Sequence, residues 1–283
     1  MDILISVGLP LGLAFIMFSL GVGLVPDDFR EVVRRPVAFL IGAAHQVLLI
    51  PVVTFLVILL FGIGGELAVG FMILAACPGG VTSNVVSRLA RADAALSVSL
   101  TAVISLASIV TVPVILAFAI GRFMGADAPE VNIVSTAITM FALTVVPILL
   151  GLGLRAAMPA RMDRIEPTLV KIATVLFVLI VGAALAGNWG LFVENLGTIG
   201  GALILLVILL GGLGYVIPKL LGRRPQEVKT ISIETAIQNS TLGITVATIL
   251  VGAEGFTAYS IPAAVYGILM YLMLIPVVTV FRR

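Results

Sequence analysis

Apolar residues fill this chain in long runs, and the polar positions fall between the runs instead of alternating within them. Such runs exceed the length of any ordinary strand. They match the roughly 20 apolar residues that a helix needs to cross about 30 Å of hydrocarbon. Dividing the chain at charged and Gly/Pro-rich breaks predicts nine helical spans: 3–25, 36–61, 67–90, 94–121, 131–157, 167–188, 195–218, 229–252 and 257–281. The connections are short, as a compact bundle requires. The first run lacks a basic stretch before it and a cleavage site after it, so it reads as a retained span and not as a signal peptide.

Two spans break the apolar pattern. The third carries Pro78, Gly79 and Gly80, followed by Thr82, Ser83 and Asn84. Proline removes a backbone donor and clashes with the preceding turn, and the glycines let the chain leave helical geometry. The eighth carries Glu234, Thr235, Gln238, Asn239, Ser240 and Thr241 where a structural span would place aliphatics. Backbone freed at membrane depth is tolerated only where protein or a wet cavity satisfies it. With nine spans these two run in opposite directions, as two inverted repeats of about 1–125 and 130–283 would place them. Taken singly, the first interruption reads equally well as an ordinary kink, and the alternative for Glu234 is an interfacial residue near Lys229 or a partner for a basic residue. Taken together they predict one shared midplane site.

Composition agrees with the pattern and narrows it. Of 283 residues 61% are hydrophobic and 11% charged, the mean hydropathy is +1.27, and nothing is left over for a soluble domain. The net charge of +2 is small and scattered, which is not the footprint of a nucleic-acid binder. A single cysteine, Cys77, excludes an internal disulfide, and no Cys/His zinc spacing or haem motif is present. With one histidine, no His-Glu-x-x-His, no Gly-x-Ser-x-Gly and no nucleotide loop, the sequence gives no support to an enzyme. No obligate protein partner is evident from it.

The loops fix an expected orientation. Arg30, Arg34 and Arg35 fall in the first connection, and Arg88 and Arg91 in the third. Arg155, Arg161, Arg164 and Lys171 fall in or beside the fifth, and Lys219, Arg223, Arg224 and Lys229 in or beside the seventh. Arg282 and Arg283 end the chain, and the even-numbered connections hold Arg122 alone. Basic residues stay cytoplasmic, which predicts an inner-membrane protein with its N-terminus outside and its C-terminus in the cytoplasm.

Further polar groups join the two breaks. Ser97 and Thr101 lie four apart and share a helix face, although buried hydroxyls often just bond the carbonyl one turn back. Gln46 sits deep in the second span, and His45 beside it is read as a packing or cavity residue turned about 100° away.

At Cys77–Val85, Ala95–Thr101 and Glu234–Ser240 the sequence resembles the bile acid:sodium symporter family, and the likeness runs through nearly the whole chain. The resemblance implies a core domain, in which the two broken helices cross, beside a panel domain. It implies two sodium ions, one held by Ser83, Asn84, Ser97, Thr101 and Glu234. The other would be held by Gln46, Glu234 and Gln238 with backbone near Thr235 and Ile237. It further implies an organic anion beside the crossover at Thr82, Ser83 and Asn239, and transport of that anion by sodium symport through alternating access. Bile acids name the family, and pantoate and 2-oxo acids are the smaller candidates. Val81 departs from relatives that carry Thr there, which bears on the substrate contact at 81–82. Some bacterial members have a tenth, N-terminal span that this chain is expected to lack. The alternative is a proton-coupled or uncoupled organic-anion carrier of the same fold.

Overall fold

The computed structural model describes residues 7–125, 132–187, 189–250 and 256–282. Among them the chain is helical, without a strand. Helix α1 is Gly8–Gly23, α2 Pro26–Arg34, α3 Pro36–Ala44, α4 Ile50–Leu60, α5 Gly65–Ala76, α6 Val81–Leu89 and α7 Ala94–Phe123. Helix α8 is Ile133–Met140, α9 Val146–Ala157, α10 Pro159–Gly187, α11 Trp189–Leu220, α12 Pro225–Ala236, α13 Ser240–Leu250 and α14 Ile261–Phe281. One π turn, His45–Leu49, joins α3 to α4, and a second, Phe141–Val145, joins α8 to α9.

Among the described residues six continuous helices are long and apolar enough to cross a membrane: Pro36–Leu60, Ala94–Phe123, Val134–Ala157, Pro159–Gly187, Leu196–Leu220 and Ala258–Phe281. Gly8–Gly23 is a shorter apolar helix. The expected third and eighth spans are present as two half-helices each, α5–α6 and α12–α13. The sixth starts eight residues earlier than its apolar run, because Pro159 opens α10 and the polar turn at 161–166 is still helical. The expected boundary between repeats, the start of the first and fifth spans, the end of the eighth and the side chain of Val81 lie outside the described residues.

Helix starts follow their caps. Asp93 accepts from Leu96 N at 3.2 Å to open α7, Asn132 accepts from Ser135 N at 3.0 Å to open α8, and α3 and α12 begin at Pro36 and Pro225. Two groups of helices form. In one, α1 packs on α9 and α10. The closest approach is at Gly21 and Gly151, where an added Cβ would strike the backbone of Ile148 and of Phe18 and Val22. Small residues therefore set this contact, whereas Gly12 of α1 only faces the Ile180 side chain. In the other group, α12 is enclosed by α11, α7, α6 and α3, and Thr230 to Thr248 are buried without interruption.

Contacts at the two ends sort the connections. Arg35 pairs with Asp93, Thr230 donates to Asp93 O at 2.9 Å, and Arg91 donates to Arg282 O. Gly23, Arg88, Glu166 and Lys171 line one cavity. The first, third, fifth and seventh connections and the chain's end therefore share one face. At the other face Tyr259 meets Met124 and Gly187 meets Phe256. That alternation is the one the basic residues predict.

Candidate functional site

The two breaks meet. Helix α5 stops at Ala76, Cys77 turns extended, and α6 restarts after Gly80. Helix α12 stops at Ala236, Ile237 turns extended, and α13 restarts at Ser240. Asn239 N donates to Pro78 O at 2.8 Å, joining one break to the other. Asn239 also caps α13, its Oδ1 accepting from Leu242 N at 3.0 Å.

The end of α12 accounts for its own orphan carbonyls. A helix terminus leaves its last carbonyls without intrahelical donors, and a buried one must find them elsewhere. Gln46 Nε2 donates to Glu234 O at 2.7 Å, Gln238 Nε2 to Thr235 O at 3.0 Å, and Tyr266 Oη to Ala236 O at 2.9 Å. Three side chains from three segments thus hold the carbonyls of 234–236. Ile237 O lies on the opposite flank, beside Gly79.

Glu234, only 1% exposed, faces an oxygen cluster. Ser97 Oγ bonds Glu234 Oε1 and lies 2.9 Å from Asn84 Oδ1. Thr101 Oγ1 is 3.1 Å from Glu234 Oε2 and 3.4 Å from both Asn84 Oδ1 and Ser83 Oγ. Ser83 Oγ donates to Gly80 O at 2.8 Å. The acceptors outnumber the three hydroxyl protons. Among the described residues no basic side chain pairs with Glu234; the ion pairs all lie elsewhere. Gly79 permits the arrangement, since a Cβ there would stand 2.8 Å from Glu234 Oε2.

All five residues of the first expected ligand set are therefore together. Of the second set, Gln46, Glu234, Thr235 and Gln238 are together while Ile237 O lies apart beside Gly79, and Gln46 and Gln238 present their NH₂ groups to the Glu234 and Thr235 carbonyls. Gln238 Oε1 is buried without a partner. The structure adds His45, whose Nδ1 is 3.2 Å from Thr235 Oγ1. It is buried, as a packing residue is, and like Gln46 it reaches α12. Tyr266 is a further addition, and only its position opposite the break marks it.

Thr82 and Asn239 line a small cavity of about 30 Å³ with Gly80, Ser240, Thr241 and, from α14, Tyr271. Ile16 of α1 and Ala173, Thr174 and Phe177 of α10 close it. Ser83 does not line it and faces the oxygen cluster instead. A second cavity of about 360 Å³ opens between the two helix groups on the basic face and reaches Asn84 and Val85.

A profile of the Sodium Bile acid symporter family matches residues 10–195. The chain is 31% identical over 260 residues to the uncharacterized sodium-dependent transporter YocS of Bacillus subtilis (strain 168), covering 90% of this chain and 77% of that one. It is 30% identical over 267 residues to the probable sodium/metabolite cotransporter BASS2, chloroplastic, of rice, covering 92% of this chain and 60% of the relative. It is 27% identical over 261 residues to the rabbit ileal sodium/bile acid cotransporter, covering 91% of this chain and 74% of that one. These proteins are named as transporters and cotransporters, not as enzymes.

Proposed function

We propose, from the premise that this chain belongs to the sodium bile acid symporter family and is a transporter and not an enzyme, that it couples sodium entry to uptake of an organic anion. The observation that carries the reading is the buried Glu234 carboxylate among Ser97, Thr101, Ser83 and Asn84 with no basic partner among the described residues. An ionised carboxylate at membrane depth is costly unless a charge offsets it. A hard monovalent cation wants several oxygen ligands, and this cluster supplies side-chain oxygens from three helices. One sodium ion binds there.

A second binds between Gln46, Gln238, Glu234 and the carbonyls near Thr235 and Ile237. As the two carboxamides stand, their NH₂ groups occupy the carbonyls, so the ion enters only when both amides turn their oxygens inward. Binding of the second ion is thereby tied to reordering of the α12 end. The anion sits at Thr82 and Asn239, where the N-termini of α6 and α13 present a positive dipole end. Its cavity of about 30 Å³ is far below the roughly 300–1,000 Å³ of small-molecule pockets. The cavity at Asn84 opens toward the basic loops, and the positive-inside rule makes that side cytoplasmic. The conformer is inward-facing, with the anion position closed. The helix group α1, α8–α9 and α10 is the panel, the rest is the core, and the two broken helices are matching members of inverted repeats in the cell membrane.

Uptake into proteoliposomes tests the reading, with taurocholate, pantoate and pyruvate as labelled probes and an inward sodium gradient. Sodium-driven accumulation of at least one is expected. Equal transport with potassium or choline replacing sodium overturns it. Accumulation driven by a pH gradient without sodium would instead make Glu234 a proton carrier.

A further inference from the structure

A cavity larger than either of those at the breaks lies elsewhere. It measures about 650 Å³ and lies between the C-terminal halves of α11 and α14 and the start of α12. Its floor and walls are Val207, Gly211, Val228, Leu274 and Val277, with Gly212 open on one side. Its rim on the basic face carries Lys219, Arg223 and Lys229. The shape follows from composition: two adjacent glycines remove side chains from α11, Gly211 where Ala236 of α12 stands beside it and Gly212 where it faces open space.

The rim is electrostatically unbalanced. Lys219 sits 5.4 Å over the Tyr215 ring, Arg223 donates to Leu221 O, and Lys229 donates to Phe281 O and lies over the Phe281 ring. None of the three forms an ion pair with a carboxylate among the described residues. Glu227, the acidic residue of that turn, is occupied by Arg224 at 2.5 Å. Three uncompensated cations thus cap an apolar trough on a helix bundle that stands in lipid.

From this arrangement we infer that the groove binds one anionic phospholipid of the leaflet on the basic face. Its phosphate lies against Lys219, Arg223 and Lys229, and one acyl chain lies along Gly211–Gly212. Basic pockets between spanning helices on that side attract anionic headgroups, while the trough supplies apolar burial that a free phosphate could not use. The proposal has a structural consequence. Val228, Lys229 and Ser232 belong to α12, the half-helix that carries Glu234, so the lipid braces the face of α12 opposite the oxygen cluster.

Native mass spectrometry of the full chain, released from detergent containing equal phosphatidylglycerol and phosphatidylcholine, tests it. One phosphatidylglycerol should be retained over phosphatidylcholine by about tenfold. Preference should vanish in the triple variant Lys219→Gln, Arg223→Gln, Lys229→Gln. Gly212→Phe keeps the charges and fills the trough, and it should lose the lipid too. Melting temperatures in phosphatidylcholine alone must match the parent for either variant to count; if both fail, Val277→Trp replaces them. Equal retention of the two lipids, or preference unchanged in the folded variants, overturns the inference. So does displacement of the lipid by glycerophosphoglycerol lacking acyl chains, which would mark an anion site only. A dimer dispersed by Gly212→Phe would show that a second copy of the chain fills the groove, and would overturn it equally.

Discussion

Glu234 is surrounded by hydroxyls that can supply at most three protons to more than three oxygens, and the proposed sodium site rests on that imbalance. Replacing the carboxylate by its near-isostere removes the charge and keeps the shape. Glu234→Gln should therefore leave the melting temperature equal or higher, because breaking up a buried charge site need not destabilise the fold. Sodium-driven uptake should fall by about a hundredfold, and the sodium-induced rise in melting temperature should disappear. Undiminished uptake would show that Glu234 is structural. Ser97→Ala and Thr101→Val each delete one oxygen near the carboxylate. Losing a hydrogen bond to a charged group costs about 1.5–3 kcal/mol, so each should raise the half-saturating sodium concentration by about tenfold or more. At Gly79 steric reasoning makes the same claim from the other side. A Cβ 2.8 Å from Glu234 Oε2 must displace the carboxylate, so Gly79→Ala should behave like a partial Glu234 variant in sodium titrations.

At the level of elements, the broken helices were legible because their causes are local. Pro78-Gly79-Gly80 cannot continue a helix, and a carboxylate among amides and hydroxyls cannot face lipid. The π turns were not read, although a signal was available: each ends just before a proline, Pro51 after His45–Leu49 and Pro147 after Phe141–Val145. A proline ring clashes with the carbonyl four residues back and removes its donor, and widening the preceding turn moves those carbonyls aside. His45 and Gln46 of the first of these turns both reach α12. Tyr266 escaped notice for a different reason: its partner, Ala236 O, is an orphan created by a break 30 residues away, and no local pattern encodes that distance. Pro51→Ala should let the segment relax toward regular α-helix and draw Gln46 off Glu234 O. The expected result is a several-fold higher sodium requirement with little change in melting temperature, and an unchanged requirement would separate the π turn from the site. Tyr266→Phe strands a buried carbonyl and should cost about 1–3 kcal/mol of stability in a denaturation assay.

At the scale of the whole molecule, the odd-numbered connections share a face in the structure, which the basic residues implied, but their grouping into α1, α8–α9 and α10 against the rest was not readable. Hydropathy treats every span alike, and the grouping depends on where small residues allow backbones to touch, as at Gly21 and Gly151. The seam between the groups is open on the basic face beside Asn84 and Val85, and the proposed transport cycle alternates access there. Val85 is 41% exposed at that cavity, and the native Cys77 is buried, so a thiol introduced at 85 can be labelled without first removing the native one. Val85→Cys should react with a charged thiol reagent in inside-out vesicles and resist it in right-side-out vesicles. Saturating sodium should slow the reaction if the ions draw α6 toward the panel as the Asn84 carboxamide closes on its ligand position. Equal labelling from both sides would mean a continuous path through the seam, incompatible with coupled transport, and labelling only from the outer side would reverse the orientation assigned by the loop charges.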